Sequence, residues 1–255
     1  MSRWTMDEIE SLVQEFRSSH GLGNEEPIKI KSFLQKNGIL TVYKPLGGSF
    51  SGMAIKTSGS DGIKRFILVN SEHSIGKQHF TICHELYHLF IQKEFSSEIG
   101  SAGKFDKKGN PEEYKADLFA ACLLLPKYGV FKMIPEEERK KNKISLPTLV
   151  AIEQYYGCSR SALLYRLMNM DLLDDECMSN FNKGITPLAK QLGYDISLYQ
   201  KGNRNVVVGD YGTLAYRAWC KGIISESSYY SFLEDLGINV AGLDTLNIVT
   251  DGEED

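Results

Sequence analysis

The stretch His84-Glu85-Leu86-Tyr87-His88 is the part of this chain that decides its fold and its chemistry. Residues four apart lie one turn from each other on the same face of an α-helix. The two imidazoles can therefore bind one Zn²⁺ ion through ring nitrogens at about 2.0–2.1 Å. Glu85 lies on an adjacent face, from which it can take a proton from water at the metal. This pattern predicts two metal ligands, His84 and His88, and a general base, Glu85.

The residues around this motif indicate that its helix is buried. The segments before and after it, residues 80–83 and 89–91, are almost wholly apolar. Two buried histidines and a buried glutamate need polar partners, and a metal ion would supply them. This context disfavours the alternative of two surface histidines beside an unrelated glutamate.

A second helix, predicted over residues 111–126, offers a third ligand. Pro111 suits its first turn and Pro126 ends it, and its remaining residues are apolar on most sides. Glu113 can give a carboxylate to the zinc, and Asp117, one turn later, can accept the second N–H of a ligand histidine. Glu112 is the alternative ligand. Two histidines and one carboxylate leave a fourth position for water, as in catalytic zinc sites.

The two motifs together resemble those of the ImmA/IrrE group of bacterial and phage zinc metallopeptidases. The chain has H-E-x-x-H at residues 84–88, followed by E-x-x-A-D-x-F-A-A-x-L-L-x-P at residues 113–126. The resemblance covers roughly residues 1–170. It implies a gluzincin-like site in which His84, His88 and Glu113 bind Zn²⁺ and Glu85 is the catalytic base.

The resemblance also implies a substrate, because members of this group typically cleave a helix-turn-helix repressor and so relieve repression. The chain departs from the group at Tyr87, where glycine is usual. Whatever packs on that face of the helix must accommodate the larger side chain.

The remaining pattern predicts an α+β fold. A capping box, Thr5-x-x-Glu8, begins a helix that ends near Gly21, and a shorter helix follows over residues 27–36. Alternating segments then predict strands at 39–43, 50–56 and 65–70. We expect a small, largely antiparallel sheet packed on the motif helix, with residues 51–54 as a candidate edge strand for the substrate backbone. An ordinary interior strand is the alternative.

Three parts of the chain are expected. Residues 1–143 form the metallopeptidase domain, residues 144–175 a helix-turn-helix-like segment, and residues 176–255 a small α/β appendage with an acidic tail. Residues 96–110, rich in Ser, Gly and Lys, form a loop that is either a lid over the cleft or a surface loop without a role.

Residues 146–170 contain two helices broken at residues 157–159, a pattern that resembles a DNA-binding helix-turn-helix. Their charged residues are only Glu153, Arg160 and Arg166. Phosphate binding normally needs a denser basic face, so direct DNA binding is disfavoured. We expect these helices to complete the peptidase core or to dock the substrate.

The bulk properties agree with a cytoplasmic enzyme. The chain of 255 residues carries a net charge of −4, which does not favour a polyanion partner. Its five cysteines form no C-x-x-C pair, which favours reduced thiols over a disulfide scaffold. No apolar run approaches the 18 or so residues that a membrane span needs, and no secretory signal is visible.

Two hypotheses of function follow from the sequence. The first is a zinc endopeptidase that acts on a helix-turn-helix transcriptional repressor. The second is a binding module that docks on a repressor or on DNA without cutting. The intact Glu85 favours the first, because docking has no use for a general base. Candidates for the donor to the oxyanion are His73, His79 and Tyr114, among which the sequence does not choose.

Overall fold

A computed structural model of the protein describes residues 5–59, 62–93, 99–100, 110–181 and 183–238. The helices are α1 (Met6–Ser19), α2 (Ile30–Lys36), α3 (Ile75–Phe90), α4 (Pro111–Leu124), α5 (Lys127–Met133), α6 (Leu146–Tyr156), α7 (Arg160–Asn169), α8 (Asp175–Phe181), α9 (Ile185–Gln191), α10 (Tyr211–Cys220) and α11 (Glu226–Asp235). The strands are β1 (Ile39–Lys44), β2 (Gly52–Gly59), β3 (Gly62–Asn70), β4 (Ile99–Gly100) and β5 (Val207–Val208). The predicted α+β class is therefore confirmed.

The strands form one sheet in the order β4-β2-β3-β1-β5. Three of the four pairings are antiparallel, as expected, but β1 runs parallel to β3. The cause is the connection between β1 and β2, which crosses the end of β3 so that β2 pairs on the far side. The buried Asn70 at the end of β3 holds this crossing: its amide donates to Phe50 O at 2.9 Å and its Oδ1 accepts from Leu46 N at 3.0 Å.

The predicted edge at residues 51–54 is corrected by the sheet order. Gly52 pairs with Gly100 and Met53 with Ile99, so β4 covers this part of β2. The loop predicted over residues 96–110 otherwise lies outside the described residues, except for Asn110, and so does the acidic tail at 251–255.

Local sequence signals set the ends of the helices that carry the site. Thr5 and Glu8 form the predicted capping box of α1. The Ser74 side chain accepts a hydrogen bond from Lys77 N at the start of α3, and Asn110 does the same for Glu112 N at the start of α4. The helix predicted over residues 27–36 begins only at Ile30, and the predicted appendage contributes a strand of two residues, Val207–Val208.

Helices α3 and α4 lie in the centre of the hydrophobic core. Every residue of α3 from Phe80 to Leu89 is buried, and every residue of α4 from Ala116 to Leu124 is buried. Phe16 of α1 packs edge-on against Phe119 of α4, with ring centroids 5.4 Å apart. The core continues through α6 and α7 to Leu173. Among the described residues, no helix is both long enough and apolar enough to cross a bilayer.

The division of the chain at residues 143 and 175 stays a prediction. The segment after residue 175 contacts the rest through β5, which pairs with β1, and through residues 200–203, which contact the start of α3.

Candidate metal centre

His84, His88 and Glu113 meet where α3 crosses α4. Their potential ligand atoms all lie within 4.8 Å of one another, and they form the candidate metal cluster among the described residues. The two histidine Nε2 atoms are 3.2 Å apart. Glu113 lies 3.2 Å from His84 Nε2 through Oε2 and 3.3 Å from His88 Nε2 through Oε1.

These distances fit a tetrahedral zinc ion. Metal–ligand bonds of about 2.0–2.1 Å at tetrahedral angles put neighbouring ligand atoms about 3.3 Å apart. Two imidazole nitrogens and a carboxylate are also a donor set that zinc accepts. The three residues present therefore fit the ion that the sequence implied.

His84 is held by Asp117, the residue that the sequence predicted for this role. Its Nδ1 lies 2.8 Å from Asp117 Oδ1, so the ring donates to this carboxylate and turns Nε2 towards Glu113. Burial opposes charge on the ring, but the hydrogen bonds to Asp117 and Glu113 outweigh it and raise the pKa of His84 to about 10 in the metal-free protein. The hydrogen bonds from His84 and His88 hold the pKa of Glu113 far below its usual range.

Glu85 is buried beside this cluster. Its Oε1 has no hydrogen-bond partner among the described residues, although burial of an unpartnered carboxylate oxygen is costly. Burial raises the pKa of Glu85 to about 6, against the opposing effects of His84 and His88. An oxygen left in this state is suited to accept a proton from a water molecule bound beside it.

Glu112, the alternative ligand, binds other side chains with both of its carboxylate oxygens. Its Oε2 accepts a hydrogen bond from the Tyr87 hydroxyl at 2.7 Å, and its Oε1 forms an ion pair with Lys115. Tyr87 is accommodated between the two helices, with its ring near those of His88 and Phe119. Tyr87 therefore holds Glu112, and Glu113 remains as the carboxylate at the histidines.

The three candidates for the oxyanion donor, His73, His79 and Tyr114, lie in different surroundings. His79 lies within hydrogen-bond distance of Gly157 O, at 2.8 Å, and so faces the turn between α6 and α7. His73 lies near Lys77, with 3.4 Å between Nε2 and Nζ. Tyr114 accepts a hydrogen bond from Tyr165 of α7 at 3.3 Å. A role for any of them in catalysis stays a prediction.

The sequence did not single out two residues that contact the site. Gln92 lies 2.6 Å from His88 Nδ1 through its Oε1, and the four-residue spacing from His88 is the only signal that could have found it. Gly52 of β2 lies so close to α3 that a Cβ on it would be 3.3 Å from Glu85 Oε1. No local signal predicts that contact, because it depends on how the sheet packs on the helix.

A family model described as the IrrE N-terminal-like domain, Peptidase_M78, matches residues 34–168. The chain belongs to the Peptidase_M78 family. The match covers slightly more than half of the chain and includes both motif helices. It begins in α2, so α1 and everything after α7 lie outside the Peptidase_M78 match. A comparison with curated proteins gives no match.

Proposed function

We propose that the protein is a zinc-dependent endopeptidase that cleaves a helix-turn-helix transcriptional repressor in the cytoplasm and so relieves repression. The observation that carries the proposal is the Glu85 Oε1 atom, which is buried beside the His84, His88 and Glu113 cluster and has no hydrogen-bond partner in the described part of the chain. A site that only bound metal would not need an additional buried carboxylate. Membership of the Peptidase_M78 family supports peptide-bond hydrolysis as the reaction.

His84, His88 and Glu113 would hold the zinc, with Asp117 orienting His84. A zinc ion there would supply Lewis acidity, which polarises a carbonyl and makes water more acidic. Glu85 takes the proton of the attacking water at Oε1 and then returns a proton to the leaving amine. Burial raises the pKa of Glu85 to about 6 in the metal-free protein, which makes its carboxylate a stronger base than that of an exposed glutamate.

The nature of the partner rests on the family resemblance and on the charges of α6 and α7. Arg160 is buried and paired with Glu153, and Arg166 is buried, with Nη2 2.5 Å from Glu10 Oε1. These arginines are therefore not available to phosphates, so the proposal is a protein substrate rather than DNA. The cytoplasmic location is supported by Cys83, Cys122, Cys158 and Cys220, which are all free thiols.

The test is cleavage of repressors by the purified protein. Zinc-loaded wild type would be incubated with helix-turn-helix repressors encoded beside its gene, and the products read by intact-protein mass spectrometry. We expect cleavage at a defined bond, and its loss with a chelator. Glu85→Gln should keep its zinc but cleave about 10²–10⁴-fold more slowly, because it lacks only the general base.

Two results would count against the proposal. If Glu85→Gln relieves repression in cells as well as wild type does, the protein acts by docking. If zinc-loaded wild type cuts unrelated unfolded peptides but none of the repressors, the enzyme class stands and the substrate class is wrong.

A further inference from the structure

His88 has a partner of its own at the end of α3. Its Nδ1 lies 2.6 Å from Oε1 of Gln92, one turn further along the chain. The backbone N–H of Gln92 donates to Tyr87 O at 3.1 Å, which continues the last turn of the helix. The backbone therefore fixes where the Gln92 side chain starts, and its amide reaches the far side of the His88 ring.

The chemistry of an amide oxygen determines what this contact does. A carbonyl oxygen only accepts hydrogen bonds, so Nδ1 of His88 must carry the ring hydrogen. In the neutral ring, the form that binds a metal, Nε2 then keeps its lone pair, and this atom lies 3.2 Å from His84 Nε2 and 3.3 Å from Glu113 Oε1. The ring nitrogen that bonds outside the cluster thus decides which one is left for a metal.

We propose that Gln92 is a positioning residue of the metal centre, which holds His88 in the Nδ1–H tautomer with Nε2 towards the ion. This inference rests on the proposed function. It gives the two histidines different supports, a carboxylate from Asp117 for His84 and a neutral amide for His88. The site already has the carboxyl groups of Glu85, Glu113 and Asp117, and an amide orients the second ring without adding a fourth.

The test measures the position of the His88 ring hydrogen and the zinc affinity of the protein, not peptide cleavage. In zinc-loaded wild type, nitrogen-15 NMR should show the His88 hydrogen on Nδ1, exchanging slowly with water. The chain has five histidines, so their ring signals can be assigned one by one. Gln92→Leu should speed this exchange and raise the zinc dissociation constant about 10–100-fold in chelator competition. Gln92→Glu, which keeps an acceptor, should bind zinc no more weakly than wild type.

Lys93→Leu is the matched control, since it places the same side chain at the exposed neighbouring position. It should leave both the exchange rate and the zinc affinity unchanged. The proposal is overturned if His88 carries its hydrogen on Nε2 in wild type, a result that needs no variant. It is also overturned if Gln92→Leu binds zinc like wild type, or if Gln92→Leu and Gln92→Glu lose zinc equally. None of these outcomes depends on cleavage, so they leave the proposed peptidase activity to its own test.

Discussion

Gly52 sets the distance between β2 and the motif helix α3. A Cβ at this position would lie 2.6 Å from Thr81 Cγ2 and 2.9 Å from the backbone oxygen of Leu68. Leu68 cannot move away without disrupting the pairing of β2 with β3, because it lies opposite Met53 in the sheet. Any side chain here would push β2 away from α3 and from the Glu85 carboxylate.

We therefore expect Gly52→Ala to lower the free energy of unfolding by about 1–3 kcal/mol, as overpacked sites do. Gly47→Ala is the matched control, because a Cβ there meets no atom of the described residues within 4 Å. Urea unfolding of both variants measures the difference. Equal stability of the two would show that β2 and α3 do not constrain each other as described.

The metal site should make the metal-free protein sensitive to pH. The folded-state pKa of His84 is raised to about 10, so its contribution to stability is present below its unfolded value and is lost as the pH rises towards 10. The pKa of Glu85 is raised to about 6, so its ionisation also costs stability as the pH rises from about 4.5 to 6. We expect the unfolding free energy of the metal-free protein to fall from pH 6.5 to pH 10.

A zinc ion bound to His84, His88 and Glu113 would take the place of the protons in the hydrogen bonds between these side chains. The zinc-loaded protein should therefore lose less stability over this pH range. Thermal unfolding at several pH values, with and without zinc, is the measurement. A metal-free protein as stable at pH 10 as at pH 6.5 would mean that His84 gains no stabilising partner on folding.

At the scale of residues, the sequence predicted the metal ligands, which lie in recognisable motifs. It did not predict the roles of residues that depend on contacts in the folded protein. The four-residue spacing of His84 and His88 predicted that they share one centre, and the second motif added Glu113, with Glu112 as the alternative. The structure brings His84, His88 and Glu113 together. Gln92 has an equally regular spacing from His88, but glutamine is common on helices and its spacing alone does not distinguish it. Gly52 could not be found, because its role depends on a strand and a helix that are distant in sequence.

At the scale of elements, the helices were easier to predict than the pairing of the strands. The proline at the start of α4 and the serine caps of α3, α6 and α7 are local signals, and the structure uses each of them. Strand pairing depends instead on the path of a connection. The sequence gives no local sign that residues 45–51 cross β3, and so neither the parallel β1–β3 pair nor the covering of Gly52 by β4 was predicted.

The two helices that resemble a helix-turn-helix are joined by a buried charge cluster. Arg160 pairs with Glu153 and donates to Phe181 O at 2.7 Å, and the Tyr199 hydroxyl donates to Glu153 at 2.8 Å. Removing one partner leaves an uncompensated buried charge. We expect Glu153→Leu alone to cost about 3–5 kcal/mol of stability.

The double variant Glu153→Leu, Arg160→Met should recover part of that loss, because neither charge is then left unpaired. Urea unfolding of the two single variants and the double variant gives the coupling energy. Strictly additive effects would contradict the interpretation that these charges serve to hold α6 against α7.

At the scale of the whole molecule, the segment after residue 175 completes the surroundings of α3. The buried Gln78 donates to Gly202 O at 3.0 Å and accepts from Asn203 at 2.9 Å, and Ile75 N donates to Gln200 O at 2.9 Å. Removing this segment would strip these partners from the start of the motif helix and expose the edge of β1.

We expect a chain ending at residue 175 to unfold at a lower temperature and to bind zinc more weakly than the full chain. A chain ending at residue 238, which keeps all of these contacts, is the matched control and should behave like the full chain. Calorimetry and chelator competition give the two quantities. If the shorter chain matches wild type in both, residues 176–255 form a separate unit, as the division predicted from the sequence has it.

The most direct test of the account is the zinc content of the purified protein beside that of His88→Ala and Glu113→Ala, by elemental mass spectrometry. The account predicts close to one zinc per wild-type chain and almost none in either variant, because each removes one of three ligands. A Glu113→Ala protein that keeps its zinc would contradict the assignment of the third ligand. Wild type that takes up no zinc when it is supplied would contradict the metal centre itself.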